Sequence, residues 1–338
     1  MTTRFMNVSE VPLALAVFLA SDFYDHDDTP NTINTTTLLK PIRQIILPGR
    51  MPAGEGLVSL PDMMSNRLGA AVHDGIERAW LENHGVALQA LGYPQRVIER
   101  IRINPSKQFI ADAAACGDDI IPIYLEQRLK KKIGKWTVTG KFDFVGEGIV
   151  QDFKTASVWS YLNQVNATKQ TQQGSIYRWL DPELITGDEM HIHHIFMDWK
   201  AGMVRTDPNY PPQRFKRQIF PLLSVAETEQ FIRRKIALIE QYWEAPEEEI
   251  PHCDDEDLWR SEPVFKYYKN PANATKPGSR STKNFETMLE ARTRQAEDGG
   301  VGVIKEKPGE VTACKYCSAF AICSQKDSLI AQGELVMS

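Results

Sequence analysis

The stretch Gly140-Lys-Phe-Asp143-Phe-Val-Gly-Glu-Gly-Ile-Val-Gln-Asp152-Phe-Lys154-Thr155 places apolar segments on both sides of a Gly-Glu-Gly turn. Such a pattern reads as a tight β-hairpin, with strands over residues 136–145 and 149–154. Side chains alternate along a strand, so Asp152 and Lys154 share a face while Phe153 points to the packed side. The hairpin returns the chain, which brings Asp143 beside Asp152 on the neighbouring strand. Two carboxylates at that separation repel unless a cation lies between them. Mg²⁺ suits the position, because carboxylates, water and phosphate oxygens satisfy it. Lys154 then supplies positive charge close to a scissile phosphate. The alternative is a surface hairpin with ordinary charges, since an isolated Asp-x-Lys recurs by chance.

Outward from the hairpin, residues 121–132 read as a preceding strand, with Gly134 as the turn. A helix is expected over 61–83, its face formed by Met64, Leu68, Ala71, Ile76, Ala79 and Trp80. A second helix is expected over 160–180, ending before Asp181-Pro182, and a strand over 190–199. Ser224-Val-Ala-Glu227 has capping-box spacing and opens an amphipathic helix with Phe231, Ile232, Ile236, Ile239 and Trp243 inward. Residues 259–284 read as a hairpin with a long loop, followed by a short helix over 286–296. The order helix, meander, helix, strand implies an α/β fold with a mixed central β-sheet flanked by helices. The expected division is an N-terminal extension (1–60), a core (61–245) and a C-terminal cysteine module (246–338).

With 338 residues, the chain is long enough for one large domain or a core with appendages. Its apolar run over 11–20 is too short to span a bilayer and lacks the flanks of a signal peptide, so it reads as a buried helix. The net charge of −5 creates no global field for nucleic acid, so any attraction must be local. Residues 128–135 form one basic patch, which serves equally as a phosphate contact or as lysines guarding a strand edge.

Taken together and in order, these features resemble the PD-(D/E)xK nuclease superfamily, in its RecB-like branch. Arg67-Leu-Gly-Ala-Ala-Val-His73-Asp-Gly-Ile-Glu77 resembles the branch's helix with a metal-contacting histidine. Gly140 to Asp143 resembles its first acidic motif. Val150-Gln-Asp152-Phe-Lys154-Thr155 resembles the second, where the Phe153 carbonyl also faces the metal. Gln173-Gly-Ser-Ile-Tyr177 resembles the Gln-x-x-x-Tyr motif, whose residues would hold the DNA backbone and orient Lys154. Without the resemblance, His73 reads as a satisfied core or surface histidine, and Gln173 and Tyr177 as helix packing. Glu126 matches an upstream glutamate of the branch, or merely balances nearby lysines. His191 and His193 share a strand face but fall outside the family pattern.

The resemblance implies a restriction-endonuclease-like core that hydrolyses DNA with Mg (or Mn). Asp143, Asp152, Lys154, Gln173 and Tyr177 would be catalytic, and His73, Asp143, Asp152 and the Phe153 carbonyl would hold the metal. It further implies an exonuclease of bacteriophage type acting in recombination or replication, alongside a single-strand-binding or recombinase protein. The location expected is the cytoplasm, or the host cytoplasm for a phage-encoded chain, with no membrane partner. A structure-selective endonuclease and a catalytically idle DNA-binding or assembly protein are the alternatives. Residues 266–269 and 276–283 offer basic and aromatic groups for contact with a strand.

Three of the five cysteines crowd the C-terminus as Cys314-Lys-Tyr-Cys317 and, five residues on, Cys323. That spacing suggests a metal site rather than a secreted disulfide framework. The fourth ligand is Cys253 or Cys116, with Cys253 preferred and Cys116 expected as a small buried hydrophobe in an Ala-rich helix. Four thiolates suit zinc or a [4Fe–4S] cluster equally. RecB-like nucleases bearing iron–sulfur clusters have a similar Cys-x₂-Cys-x₅-Cys ending, which favours the cluster and a structural, clamping role. Their distant cysteine commonly precedes the nuclease motifs, and here none occurs before Cys116.

Overall fold

The computed structural model describes residues 5–21, 27, 29–52 and 58–337. The aspartate-rich turn over 22–28 lies outside these, apart from Asp27. Two compact units emerge: Met1–Lys40 with Val58–Ala237, and Pro41–Leu57 with Leu238–Ser338. Residues 41–57, expected with the N-terminal extension, thus group with the cysteine-bearing unit.

The first unit is mixed α/β, built on a six-stranded sheet whose strands are β1 (Ile101–Ile103), β2 (Ile121–Leu125), β3 (Phe144–Gly146), β4 (Ile149–Ala156), β5 (Glu189–Phe196) and β6 (Phe215–Pro221). Their spatial order follows the chain, β6-β5-β4-β3-β2-β1. The β1–β2 and β4–β5 pairs are parallel and the other three antiparallel, which makes the sheet mixed. Helix α1 (Met64–Ala90) packs on β4, and helix α2 (Ala167–Leu180) lies close enough to β5 that a Cβ on Gly174 would meet Met190 Sδ at 2.6 Å. Val150, Met190, Ile192, Phe196 and Phe220 are buried on the sheet, with Ile176, Trp179 and Leu180 buried on α2.

Two expected strands are each split in two. Residues 121–132 become β2 and a separate strand, Arg128–Ile133, because Glu126 takes a left-handed backbone (φ 49°) that turns the chain out of the sheet. Residues 136–145 divide likewise into Trp136–Lys141 and β3, breaking at Phe142 and Asp143. Arg128–Ile133 and Trp136–Lys141 form a second, three-stranded sheet with Thr32–Asn34. Arg128–Ile133 is an edge there, and two of its lysines are engaged within the protein. Lys130 lies 2.6 Å from Asp27, and Lys131 donates to the Trp179 carbonyl at 2.8 Å.

Several other expectations change in detail. The helix over 160–180 breaks into Val158–Leu162 and α2, with Gln164 left-handed (φ 48°) between them. The inward face of α1 is rotated: Ile76 and Trp80 are half-buried, with Trp80 against Phe144 of the sheet, whereas Leu68, Ala71 and Ala79 are exposed. The apolar helix Leu13–Ala20 buries only Ala16 and Leu19, leaving Leu13 and Val17 exposed. Trp243 is exposed rather than inward, while Ile232, Ile236 and Ile239 are buried as expected. Among the described residues, no helix is long and apolar enough to cross a membrane.

In the second unit, Val264–Tyr268 pairs antiparallel with both Lys283–Phe285 and Val303–Lys307. Tyr267 and Tyr268 are buried there, and Tyr267 donates its hydroxyl to the Val301 carbonyl at 3.1 Å, so neither ring is free to stack on a base. Leu258, Val311, Leu329 and Leu335 form a small core, against which Cys253 and Cys314 pack.

Candidate active site

The β3–β4 hairpin turns through Glu147 (φ 54°) and Gly148 (φ 75°), two consecutive left-handed residues, as a type I′ turn requires. Its register pairs Phe144 with Gln151, which sets Asp143 opposite Asp152 one step beyond the ladder. Asp143 Oδ2 accepts a hydrogen bond from the Phe153 amide at 3.0 Å. His73, carried on α1, donates from Nε2 to the Phe153 carbonyl at 2.7 Å, and its Nδ1 lies 3.3 Å from Asp143 Oδ2 and 3.9 Å from Glu126 Oε1. His73, Glu126 and Asp143 offer ligand atoms that all lie within 4.8 Å of one another.

Asp152 is 2% exposed, and its carboxylate is not one of that group of three. Its Oδ1 accepts from Lys154 Nζ at 2.9 Å and from Gln173 Nε2 at 3.2 Å. Its Oδ2 is buried and accepts no hydrogen bond, although the Lys154 ammonium stands 2.8 Å away. Gln173 also donates to Tyr177 Oη (3.0 Å), which in turn donates to the Lys141 carbonyl (2.9 Å). Gln173 and Tyr177 therefore brace the strand before Asp143 and also Asp152, on whose Oδ1 Gln173 and Lys154 meet. Gly140 is required for this bracing, since a Cβ there would come within 2.8 Å of Tyr177 Cε1 and 2.5 Å of Thr35 Oγ1.

The charged groups of the site shift one another strongly. Burial pushes the Asp152 carboxyl up, and Asp143 adds to this against the opposing pull of Lys154 and His73. Burial disfavours a charged His73 ring, but Asp143 and Glu126 outweigh it and hold the imidazole up to about 10. Lys154 follows the same pattern: burial acts to lower it, and Asp152 and Asp143 raise it on balance. Carboxylates gathered this closely repel one another, and a cation among them would relieve that repulsion. An Asp152 Oδ2 that accepts no hydrogen bond and is paired only with the Lys154 ammonium, and an oxygen-rich donor set with one imidazole, fit a hard divalent ion.

Lys141 is a residue that sequence reasoning missed. Its Nζ lies 2.6 Å from Glu126 Oε2, and its carbonyl receives the Tyr177 hydroxyl. The available signal was its position two residues before Asp143 on an alternating segment. The histidines of β5 lie outside the group: His191 is 2.6 Å from Glu189, and His193 bonds Gln151 (2.8 Å) and stacks on Phe153.

In the second unit Cys253 and Cys314 pack against the same small core, and Cys253 lies within electrostatic reach of Cys314, Cys317 and Cys323. Burial first, then Asp257 and the other three thiols, push Cys253 up to about 12. Burial, with Cys317 and Cys323, pushes Cys314 up to about 11. Thiols that raise one another's pKa are costly to ionise together without a metal, and four soft sulfur donors fit zinc or an iron–sulfur cluster. Cys116 is exposed at the end of helix Lys107–Cys116 rather than buried as expected, because the helix presents that end to solvent.

No family model matches the chain, and no curated protein matches it. Among solved structures it is similar to the protein SSO0001, with a TM-score of 0.39 and 16% identity over 69% of this chain and 87% of the other. It is also similar to a phage-related exonuclease from Haemophilus somnus 129PT (TM-score 0.29, 12% identity, 63% of this chain, 93% of the other). An alkaline exonuclease from Laribacter hongkongensis matches with a TM-score of 0.25 and 10% identity, over 40% of this chain and 64% of the other. Likenesses this slight do not transfer a function from one chain to another.

Proposed function

We propose that the chain is a divalent-metal-dependent deoxyribonuclease that hydrolyses phosphodiester bonds at DNA ends. The observation that carries this reading is the buried Asp152 with its unbonded Oδ2, set opposite an Asp143–His73–Glu126 group and beside Lys154. His73, Asp143, Asp152 and the Phe153 carbonyl would hold Mg²⁺ or Mn²⁺, and Glu126 joins them by position. A divalent cation, when bound, supplies Lewis acidity and neutralises phosphate charge.

The chain's own groups do the rest. Lys154, paired to Asp152, keeps a protonated ammonium beside the site and stabilises charge that develops on the phosphate. Gln173 and Tyr177 hold Asp152 and the Asp143 strand in place, so that little reorganisation is needed during reaction. Loss of the Lys154 ammonium is expected to cost on the order of 10²–10³ in rate.

Exonuclease action, and a task in phage recombination or replication, follow from the resemblance to the RecB-like branch, as does a single-strand-binding or recombinase partner. The four cysteines are read as ligands of one [4Fe–4S] cluster, with zinc as the rival occupant. To test the activity, wild type and Lys154→Ala are incubated with end-labelled single- and double-stranded DNA and with a circle, in Mg²⁺ or EDTA. Degradation from ends that needs both Mg²⁺ and Lys154 is the expected result. Cleavage indifferent to either sinks the mechanism, and cutting of the circle turns the reading to an endonuclease.

A further inference from the structure

Cys253 lies in an irregular segment without helix or strand of its own, so no ladder fixes its backbone. One side chain does. The Cys253 amide donates to Gln325 Oε1 at 2.9 Å, and Gln325 Nε2 donates back to the Cys253 carbonyl at 2.8 Å. Gln325 is 8% exposed and stands two residues after Cys323, at the start of helix Ser324–Ala331. Both polar ends of this buried amide are spent on the backbone of a single residue, Cys253.

The preceding two residues are held as tightly. Glu247 Oε1 accepts from the Ser324 amide (3.1 Å) and hydroxyl (2.8 Å) and also from the Arg43 guanidinium. Arg43 is 1% exposed, donates to the Ile250 carbonyl at 2.8 Å, and reaches Cys323 Sγ at 3.7 Å. Cys323, Ser324 and Gln325 are thus fixed in consecutive order, the first as a thiol donor and the third as the grip on a thiol donor distant in sequence.

We propose that Gln325 is a positioning residue that sets Cys253 as the fourth thiol of the metal group, with Arg43 fixing Cys323 beside it. This rests on reading the four cysteines as ligands of one group. A helix start that carries one ligand also anchors the peptide of another, so the loop of Cys253 is placed before the group is bound. Losing the anchor leaves three thiols in register and the fourth on a wandering loop. A [4Fe–4S] cluster with a poorly held fourth thiol sheds one iron.

The test uses the full-length protein, purified without oxygen from iron-supplemented cells, as wild type, Cys253→Ser, Gln325→Met and Gln325→Glu. Iron, acid-labile sulfide and zinc per folded chain are measured, with electron paramagnetic resonance after mild ferricyanide treatment. Methionine keeps the length and packing of Gln325 but neither hydrogen bond, and glutamate keeps only the acceptor for the Cys253 amide. The expected result is that Gln325→Met shows the three-iron signal and lowered iron of Cys253→Ser, with Gln325→Glu in between. A residue that only satisfied buried backbone would lower the melting temperature without changing iron per folded chain. Wild-type iron content and a silent spectrum in Gln325→Met overturn the positioning role and leave the metal reading standing. Wild type holding neither iron nor zinc overturns both. If wild type holds zinc, several-fold faster stripping by a chelator in Gln325→Met supports the role, and equal rates overturn it.

Discussion

At the scale of single residues, Asp152 joins two costs that a bound cation would remove together. Its carboxylate is buried, and one oxygen receives no hydrogen bond. An ion that binds only the folded chain stabilises it by mass action, about 2.7 kcal/mol at a hundred times its dissociation constant. Saturating Mg²⁺ is therefore expected to raise the melting temperature of wild type by several degrees and that of Asp152→Asn scarcely at all. Equal shifts in the two proteins, measured by thermal unfolding with and without EDTA, would remove Asp152 from the ligand set. Gly140 makes a second case, because its missing side chain is what lets Tyr177 and Thr35 approach. Gly140→Ala overpacks that contact and is expected to cost about 1–3 kcal/mol in denaturant unfolding. A neutral result would mean that the ring of Tyr177 can withdraw freely. The Asp152 position is legible in the sequence, because the period of two and the hairpin fix its face and neighbour before any tertiary contact is known, whereas the approach of Tyr177 and Thr35 to Gly140 is not. Lys141 and Glu126 are less legible than Asp152, since their ion pair depends on a chain reversal at a non-glycine left-handed residue.

At the scale of elements, the hairpin and its turn were readable, but the breaks beside them were not. Residues 121–132 carry an unbroken strand-like pattern, and nothing in Glu126 itself announces a left-handed backbone. The break pays off in tertiary contacts, as the Glu126 amide donates to the Asp143 carbonyl at 3.0 Å and the side chain reaches His73 and Lys141. The interruption near Gln164 likewise lacks proline or glycine, which is why a single helix was expected over 160–180. The β3–β4 turn permits a direct test of element energetics. Glu147 is exposed and left-handed at a position where asparagine is much better suited. Glu147→Asn should stabilise the protein by about 0.5–1 kcal/mol in urea unfolding, on the scale of a left-handed residue's cost. Nuclease activity should be unchanged, since the turn lies at the far end of the hairpin from Asp143 and Lys154. A destabilised variant would show that Glu147 has a contact of its own.

At the scale of the whole molecule, the two units are stabilised by different means. The first has a broad sheet with apolar faces, while the second has a small leucine–valine core and a pair between buried Arg43 and half-buried Glu247. None of that pair's partners was legible, because Arg43 and Glu247 are brought together only by the grouping of residues 41–57 with the C-terminal chain. Burial acts to raise the Glu247 carboxyl, but the Ser324 hydroxyl and amide and the Arg43 guanidinium outweigh it, leaving it below its ordinary 4.5. A carboxyl with a depressed folded-state pKa binds its proton more readily in the unfolded chain. Its stabilising contribution is therefore complete above about pH 4.5 and is lost as the pH falls through the lower folded value. Removing the charge also leaves Arg43 buried without its counter-ion, which is costly in itself. Glu247→Gln should accordingly melt well below wild type at neutral pH, and the gap should narrow steadily under acid conditions as wild type loses the same charge. A gap that stays constant from neutral pH into that range would show that the glutamate acts through its shape and hydrogen bonds alone. A gap that widened would reverse the sign of the linkage and mean that the carboxyl is protonated in the folded chain.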